Sequence, residues 1–487
     1  MQSSDNNLFY LTPPRIIPPL DPDFRPAVTA RRAFQAEVAR SGQGVPLVIA
    51  VEADNGAISS YKTIVFSEKD KRFASNFPYV ERIVKFLLWQ RGGWRVVVGG
   101  PKAIGQHIQT IYSNTGSSGH SAPRSAIAKS AKPGARAFDV DLMNTVYGQP
   151  FVVEINTSMD MPPDKSSAKQ LGRHLEGCRI GFDLGASDRK VAAVMDGKSM
   201  FSEEVIWDPK EQGNPQYHFD EINASLKKAA SYLPRVDAIG GSAAGIYVNN
   251  SVRVASLFRG VPKHLFEQRV RGLFQELQKA WANIPFEVIN DGEVTALAGS
   301  MSLDVNRVLG IAMGSSLAGG YVDKDGNLPG WLDELAFAPV DYNPAAPVDE
   351  WSGDTGVGSQ YFSQVAVNRL AGKAGITLNA QKTLAERLKD VQALMDSGDP
   401  RARAIFETIG VYFGYTVAHY ADFYDMAHLL ILGRVTSGLG GDVVLSTANR
   451  VLQQEFPEVA ARVHLAVPDE ASRRVGQAIA AASLPEL

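Results

Sequence analysis

Apolar residues along this chain follow two rhythms: short uninterrupted runs that suit buried strands, and stripes at helical spacing. Residues 46–51 (Pro-Leu-Val-Ile-Ala-Val) and 61–66 (Tyr-Lys-Thr-Ile-Val-Phe) read as strands. Val80, Ile83, Val84, Phe86, Leu87 and Leu88 then recur at helical spacing, and Gly92-Gly93 ends that helix before a further strand at 94–98. Residues 150–155 predict another strand. Pro13, Pro14, Pro18, Pro19, Pro22 and Pro26 punctuate the start of the chain. Each fixes φ and removes a donor, so an extended arm lying on the surface is expected. Residues 113–136, rich in Ser, Gly and Ala, predict a mobile loop, and the polar stretch 160–176 predicts a linker. The first 176 residues therefore read as an α/β module of their own, with no motif that carries chemistry.

From Gly177 the pattern becomes strand, small-residue turn, strand. Residues 179–194 hold such a unit, with Asp183, Gly185 and Ser187 in the turn and Lys190 just beyond it. A turn of this kind lets backbone amides approach a phosphate, because no Cβ obstructs at Gly185 and the Ser187 hydroxyl adds a donor. Asn290 and Asp291 follow a short apolar run at 286–289 and precede a small-residue helix. Polar groups at such a strand-to-helix junction project into a cleft. The unit repeats at 308–322 around Gly314, Ser315, Ser316, Gly319 and Gly320. A buried-looking strand at 429–432 then runs into Gly433-Arg434 and a glycine-rich helix start ending at Asp442.

Composition narrows the class. The 487 residues are 45% hydrophobic and 21% charged, which excludes disorder, collagen and a coiled-coil rod. A chain of this length is expected to form two or three domains. Cys178 is the one cysteine, so there is no internal disulfide and no cysteine-based zinc knuckle, and a reducing, cytoplasmic setting is expected. No run is long enough to span a bilayer. Residues 1–176 carry 21 basic and 15 acidic residues against 28 and 37 in 177–487, which points to two units with different surfaces. The basic residues are scattered, not striped, so no nucleic-acid partner is expected.

The order of these motifs resembles the sugar kinases of the actin, heat-shock and hexokinase superfamily, specifically the ROK family, over residues 179–487. The resemblance implies a two-lobed actin-like (ribonuclease H-like) α/β ATPase fold with an additional N-terminal α/β module. Its divisions would be 1–176, a first lobe at 177–304 to which 470–487 returns, and a second lobe at 305–469. It implies ATP-dependent phosphorylation of a sugar or sugar-like polyol. Asp291 would be the general base, with Asn290, Glu334 and Asp333 on the sugar. Asp183, Gly185, Ser187, Lys190, Gly314, Ser315, Ser316, Gly319, Gly433 and Arg434 would lie on ATP. Mg²⁺ would travel with the nucleotide, near Asp183. The partner implied is a small-molecule sugar, with no nucleic acid and no membrane, and a homodimer is plausible.

Departures from the family pattern accompany the match. Phe337 stands where the family has a zinc-binding His, and Glu350, Ser352 and Val357 stand at its three cysteine positions, so no zinc is expected. Ser359 replaces a second sugar-binding Glu, and Arg434 replaces a Gly of the adenosine turn. An arginine there could pair with a phosphate or fill the adenine slot. The rival reading is a non-catalytic sugar-binding regulator that has lost the nucleotide. A DNA-binding repressor fits poorly, since the N-terminal region lacks an evident helix-turn-helix. Each residue also has a structural reading. Asp291 could cap the helix after it, and the aromatic stretch around Trp331, together with Trp351, could be core or sugar pocket. His218, His419 and His428 read as packing or surface residues, and Tyr412, Tyr415, Tyr420, Phe423 and Tyr424 as a buried helix face.

Overall fold

The computed structural model describes residues 8–113, 133–157, 161–165, 171–185, 187–467 and 470–487. Most of the predicted mobile loop, together with 160 and 166–170 of the predicted linker, lies outside them.

The N-terminal third forms a four-stranded sheet in the order β2-β1-β3-β4, from β1 (Gly44–Glu52), β2 (Ile58–Phe66), β3 (Arg95–Gly99) and β4 (Val152–Asn156). Helix Asn76–Arg91 packs on it and ends at Gly92, whose φ of 72° a side chain would resist. This helix is buried almost all round, so its apolar residues serve two surfaces. One faces its own sheet. The other faces the C-terminal part of the chain, where Trp89 packs on Phe337 with ring centroids 4.5 Å apart. The proline-rich arm is extended, as proline requires, and pinned. The Ile16 and Leu20 N–H groups donate to the Tyr415 and Thr408 hydroxyls, and Phe24 is buried against Tyr412.

Residues 178–290 form a second sheet, ordered β11-β8-β5-β6-β7. Its strands are β5 (Cys178–Leu184), β6 (Asp188–Met195), β7 (Lys198–Ile206), β8 (Ala238–Ala243) and β11 (Phe286–Asn290). β5, β6 and β7 form an antiparallel meander, whereas β8 and β11 run parallel to β5. A hairpin of β9 (Ile246–Val248) and β10 (Ser251–Val254) leads away from β8. The third sheet repeats the plan in the order β13-β12-β14-β15, from β12 (Val308–Met313), β13 (Leu317–Val322), β14 (His428–Leu432) and β15 (His464–Ala466). Here too the first two strands are antiparallel and the next two parallel to the first.

The C-terminal helix Glu470–Ala482 returns to the second sheet. A Cβ at Gly181 would lie 1.8 Å from the Ala478 carbonyl oxygen, and one at Gly240 would lie 1.7 Å from that of Ala481. Small residues on both surfaces allow this approach. Tyr412, Tyr415 and Tyr420 lie buried in helix Pro400–Tyr420, with Phe423 and Tyr424 buried just beyond it. His218 is buried with Nε2 2.9 Å from the Pro209 carbonyl, and His419 is buried against Phe86 and Phe423.

Packing joins the N-terminal third to the third sheet. The change at residue 176 separates two sheets, but the apolar core of the N-terminal third runs without a break into that of the third sheet. The second sheet has a core of its own. The first joint is also electrostatic. Arg82, Lys85 and Arg136 meet Glu81, Asp139 and Asp354 in a fully buried network, with Lys85 2.8 Å from Asp139, Arg136 3.0 Å from Asp354 and Arg82 3.3 Å from Asp354. Three cations against three carboxylates leave it neutral, the condition under which buried charge is tolerated. Among the described residues, no helix is long and apolar enough to cross a membrane.

Candidate functional site

Three parallel strands of the second sheet, β5, β8 and β11, end side by side. Asp183 pairs in register with Ser242, and the next row ends on Asn290 beside Ala243. β11 is an edge strand, and a side chain completes its outer edge. Asn250, held at φ 58° in the β9–β10 turn, donates from Nδ2 to the Phe286 carbonyl at 2.7 Å and accepts from the Val288 N–H at 2.8 Å. The strand end is therefore fixed where helix Asp291–Leu303 begins.

Asn290, not Asp291, caps that helix. Its Oδ1 accepts from the Gly292 N–H at 2.7 Å while its Nδ2 donates to the Gly245 carbonyl at 2.6 Å. Both of its polar ends are committed to backbone. Asp291 is thereby free of side-chain partners. The helix start lies against the third sheet, where a Cβ at Gly320 would stand 2.2 Å from the Gly292 carbonyl oxygen. Asp291 thus sits at the junction of the two sheets.

Carboxylates crowd this junction. Burial and then the nearby Asp183 push Asp291 up to about 6. Burial, then Asp291 and Asp333, push Glu334 up to about 7. Asp333 is buried at φ 47° and accepts from the Tyr424 hydroxyl at 2.6 Å, and burial raises it to about 7. That bond ties Asp333 to the wall behind the site. Glu293, which the sequence reading missed, is raised to about 8 by burial and by Asp333, and accepts a backbone bond at Asn290. Its signal was present: Asn290 followed three residues later by Glu is the capping-box spacing.

The turns fall at the strand ends. Gly185 closes the β5–β6 turn, its N–H on the Asp188 carbonyl and its own carbonyl accepting from Trp207 Nε1 at 3.0 Å. Ser187 donates to Asp188 at 3.0 Å. Lys190 lies 3.5 Å from Asp183 and 3.3 Å from Asp188, while Asp183 also accepts from Ser242 at 2.7 Å. In the third sheet, Gly314, Ser315 and Ser316 form the β12–β13 turn, with both serines exposed. Gly433 follows the neighbouring end of β14 at φ 99°. Gly319 is elsewhere: it is buried within β13, where a Cβ would stand 2.8 Å from the Asp333 carbonyl oxygen, so it packs and is not part of the turn. Arg434 is exposed, and its guanidinium has no hydrogen-bond or ion-pair partner among the described residues.

A nucleotide with Mg²⁺ fits this donor set. Asp183 is near enough to raise Asp291, Lys190 stands beside Asp183, and nothing lies within 4 Å of a Cβ built at Gly438, beyond Arg434. At the family's zinc positions the chemistry differs. Phe337 stacks in the core, Val357 is buried, and Ser352 and Ser359 donate to Asp349 at 2.9 and 2.8 Å. Among the described residues, no group of three or more His, Cys, Asp or Glu could hold a metal ion. Trp331 lines a cavity, but Trp351 is 73% exposed and lies outside both the core and that cavity.

The paired sheets, each an antiparallel hairpin extended by parallel strands, form two lobes around the helix that Asp291 begins. Residues 177–487 have the actin-like ATPase fold. No family model and no curated protein sequence matches the chain. Among solved structures, 63% of this chain is similar to 97% of a ROK hexokinase from Thermus thermophilus, at 18% identity and a TM-score of 0.49. The same share is similar to 99% of a ROK family glucokinase from Streptomyces griseus in complex with glucose and AMPPNP, at 21% identity and a TM-score of 0.46. It is also similar to 78% of a ROK family transcriptional regulator described as a homolog of the E. coli MLC protein, at 19% identity and a TM-score of 0.49.

Proposed function

We propose that the actin-like lobes transfer the γ-phosphate of ATP to a hydroxyl of a sugar or sugar-like polyol. The observation that carries this reading is Asp291, a carboxylate at a strand end between two lobes, without a side-chain hydrogen bond among the described residues and raised to about 6 by burial and Asp183 against backbone bonds at Gly292 and its own N–H. Such a group is ionised at neutral pH yet basic enough to accept the proton of an attacking hydroxyl. Glu334, raised to about 7, can donate to or accept from a sugar hydroxyl. Asn290 holds the helix start, and Asp333 braces the loop carrying Glu334. The N–H groups of Gly185 and Gly314 are bonded across their turns to Asp188 and Ser316, so other amides of those turns would receive phosphate oxygens, and Lys190 would add charge. Mg²⁺ held beside Asp183 would neutralise phosphate charge.

One observation favours the rival reading of a sugar-binding regulator. Lys190 is already paired with Asp183 and Asp188, and the Ser187 hydroxyl already donates to Asp188. Binding of a labelled ATP analogue with and without Mg²⁺, together with ADP release over a panel of sugars, tests the two. Mg²⁺-dependent binding and sugar-dependent release are expected; sugar binding with no measurable analogue affinity would leave the regulator.

A further inference from the structure

On the reading that Glu334 holds the sugar, we propose that Gln90 and Tyr424 are positioning residues that aim it. Helix Asn76–Arg91 of the N-terminal third thereby fastens the substrate loop by protein contacts, where the family pattern places a metal.

In that pattern the zinc ligands fall at the positions of Phe337 and of Glu350, Ser352 and Val357, so one ion would join two segments of the chain. Phe337 and Val357 cannot ligate a metal, and Ser352 donates to Asp349. One face of helix Asn76–Arg91 meets both segments instead. Arg82 and Lys85 lie 3.3 and 3.2 Å from Asp354 in the second segment. Further along the helix, the Trp89 ring packs on Phe337 with centroids 4.5 Å apart, and the Gln90 carbonyl accepts from the Asp333 N–H at 2.9 Å, both in the first. Residues 82, 85, 89 and 90 stand at i, i+3, i+7 and i+8, a single helical stripe.

A closed ring of hydrogen bonds passes through Asp333. Its N–H donates to the Gln90 carbonyl, its Oδ1 accepts from the Tyr424 hydroxyl at 2.6 Å, and the Phe423 carbonyl, next to Tyr424, accepts from Gln90 Nε2 at 3.0 Å. Three segments far apart in sequence are locked together. The ring holds Asp333 at φ 47°, a left-handed backbone that side chains disfavour and that persists only where the surroundings impose it. That conformation sets the direction in which the next residue, Glu334, leaves the chain, and Glu334 lies near enough to Asp291 to feel its charge. Gln90 is fully buried and its Oε1 has no partner among the described residues. Its side chain therefore serves the Phe423 carbonyl.

Gln90→Met keeps the length of the side chain and removes the amide; Tyr424→Phe removes one hydroxyl. Calorimetry on the full chain with D-glucose, D-mannose, D-glucosamine and D-mannitol, alongside ADP release with MgATP, reads both variants. At least one of these sugars is expected to bind. Each substitution should weaken that binding about fivefold or more, leave ATP-analogue affinity within about twofold, and cost nothing further in a Glu334→Ala background, where no carboxylate remains to be aimed. General damage to the fold would add its cost in either background. Where Glu334→Ala binds too weakly to compare, the split decides: sugar affinity lost with ATP-analogue affinity and melting temperature kept sustains the positioning role, and all three lost together overturns it. A chelator should leave the sugar affinity measured without nucleotide unchanged. Parent-like sugar binding in both variants, sugar binding that ignores Glu334→Ala, equal losses with and without Glu334, or loss of binding to the chelator overturns the proposal, and the kinase reading stands wherever ADP is released. Binding weakened only where Glu334 is present, with no ADP release, sustains the positioning role and overturns the kinase. Binding of none of the sugars overturns both.

Discussion

Asn290 caps the helix that Asp291 begins, while the Asp291 carboxylate, held only by backbone N–H groups at the helix start, lies near Asp183 and Glu334. Neighbouring residues with similar side chains thus divide structure and chemistry between them. Asp291→Asn is expected to abolish nearly all ADP release while leaving sugar affinity within a few-fold, because the amide keeps its size but cannot take a proton. Asn290→Ala should instead lower stability by about 1 kcal/mol, the ordinary cost of losing a cap. Turnover assays and chemical denaturation on the two variants separate the roles. Substantial turnover in Asp291→Asn would remove it as the base.

The raised carboxylates give pH dependence a definite sign. Asp291 must be ionised to act, so turnover should fall as pH drops through about 6. Stability moves the other way. Glu293 is raised to about 8, so its contribution is full below the pKa of an unfolded Glu and is lost as pH rises through 8. Glu293→Gln does not titrate, and its melting temperature relative to the parent should climb between pH 5 and pH 9. A constant difference across that range would show that Glu293 is not buried as described.

Asp354 holds the loop 349–359 to the N-terminal third. Burial alone would raise its pKa, but Arg136, Arg82 and Lys85 overcome burial and hold it well below the ordinary carboxylate range. Asp354→Ala leaves the buried network one carboxylate short, with one positive charge uncompensated, and should cost about 3 to 5 kcal/mol in denaturant unfolding. The contribution is present above the unfolded pKa and is lost as pH falls. Elemental analysis should find no stoichiometric zinc, since Asp349 and Asp354 anchor the loop where the family pattern would place cysteine ligands.

Removing residues 1–176 should not release a stable two-lobed core. The apolar cluster that joins the N-terminal third to the third sheet would be cut open, exposing Phe337, Tyr412 and their neighbours. The fragment is expected to aggregate or to bind a hydrophobic dye strongly. A soluble monomeric fragment with a sharp melting transition would show that the two cores are separable.

Arg434 tests the nucleotide. Its guanidinium is exposed at the end of β14 without a partner among the described residues, so it is available to a phosphate. Arg434→Ala should weaken ATP-analogue binding by about 1 to 3 kcal/mol, the scale of a charge-assisted hydrogen bond. Unchanged affinity measured by calorimetry would place Arg434 outside the nucleotide site.

Local pattern alone identified the strands at 46–51, 61–66, 94–98 and 179–184, the helix ending at Gly92, the strand-end Asn290-Asp291 pair and the small-residue turns, because period, glycine and proline act over a few residues. Tertiary structure decided the rest. Whether Asn290 or Asp291 would cap depended on the Gly245 carbonyl, 45 residues away, which claims the Asn290 amide. Gly319 lies inside a strand because it pairs with Ile311, and it packs against the Asp333 carbonyl, a contact no local pattern contains. The contact between the N-terminal third and the third sheet could not be read locally, since Arg82 and Asp354 are 272 residues apart and nothing in either neighbourhood names the other. Burial, which raises Glu293 and Glu334 into the neutral range, is a property of the assembled junction, and no local pattern of charge contains it.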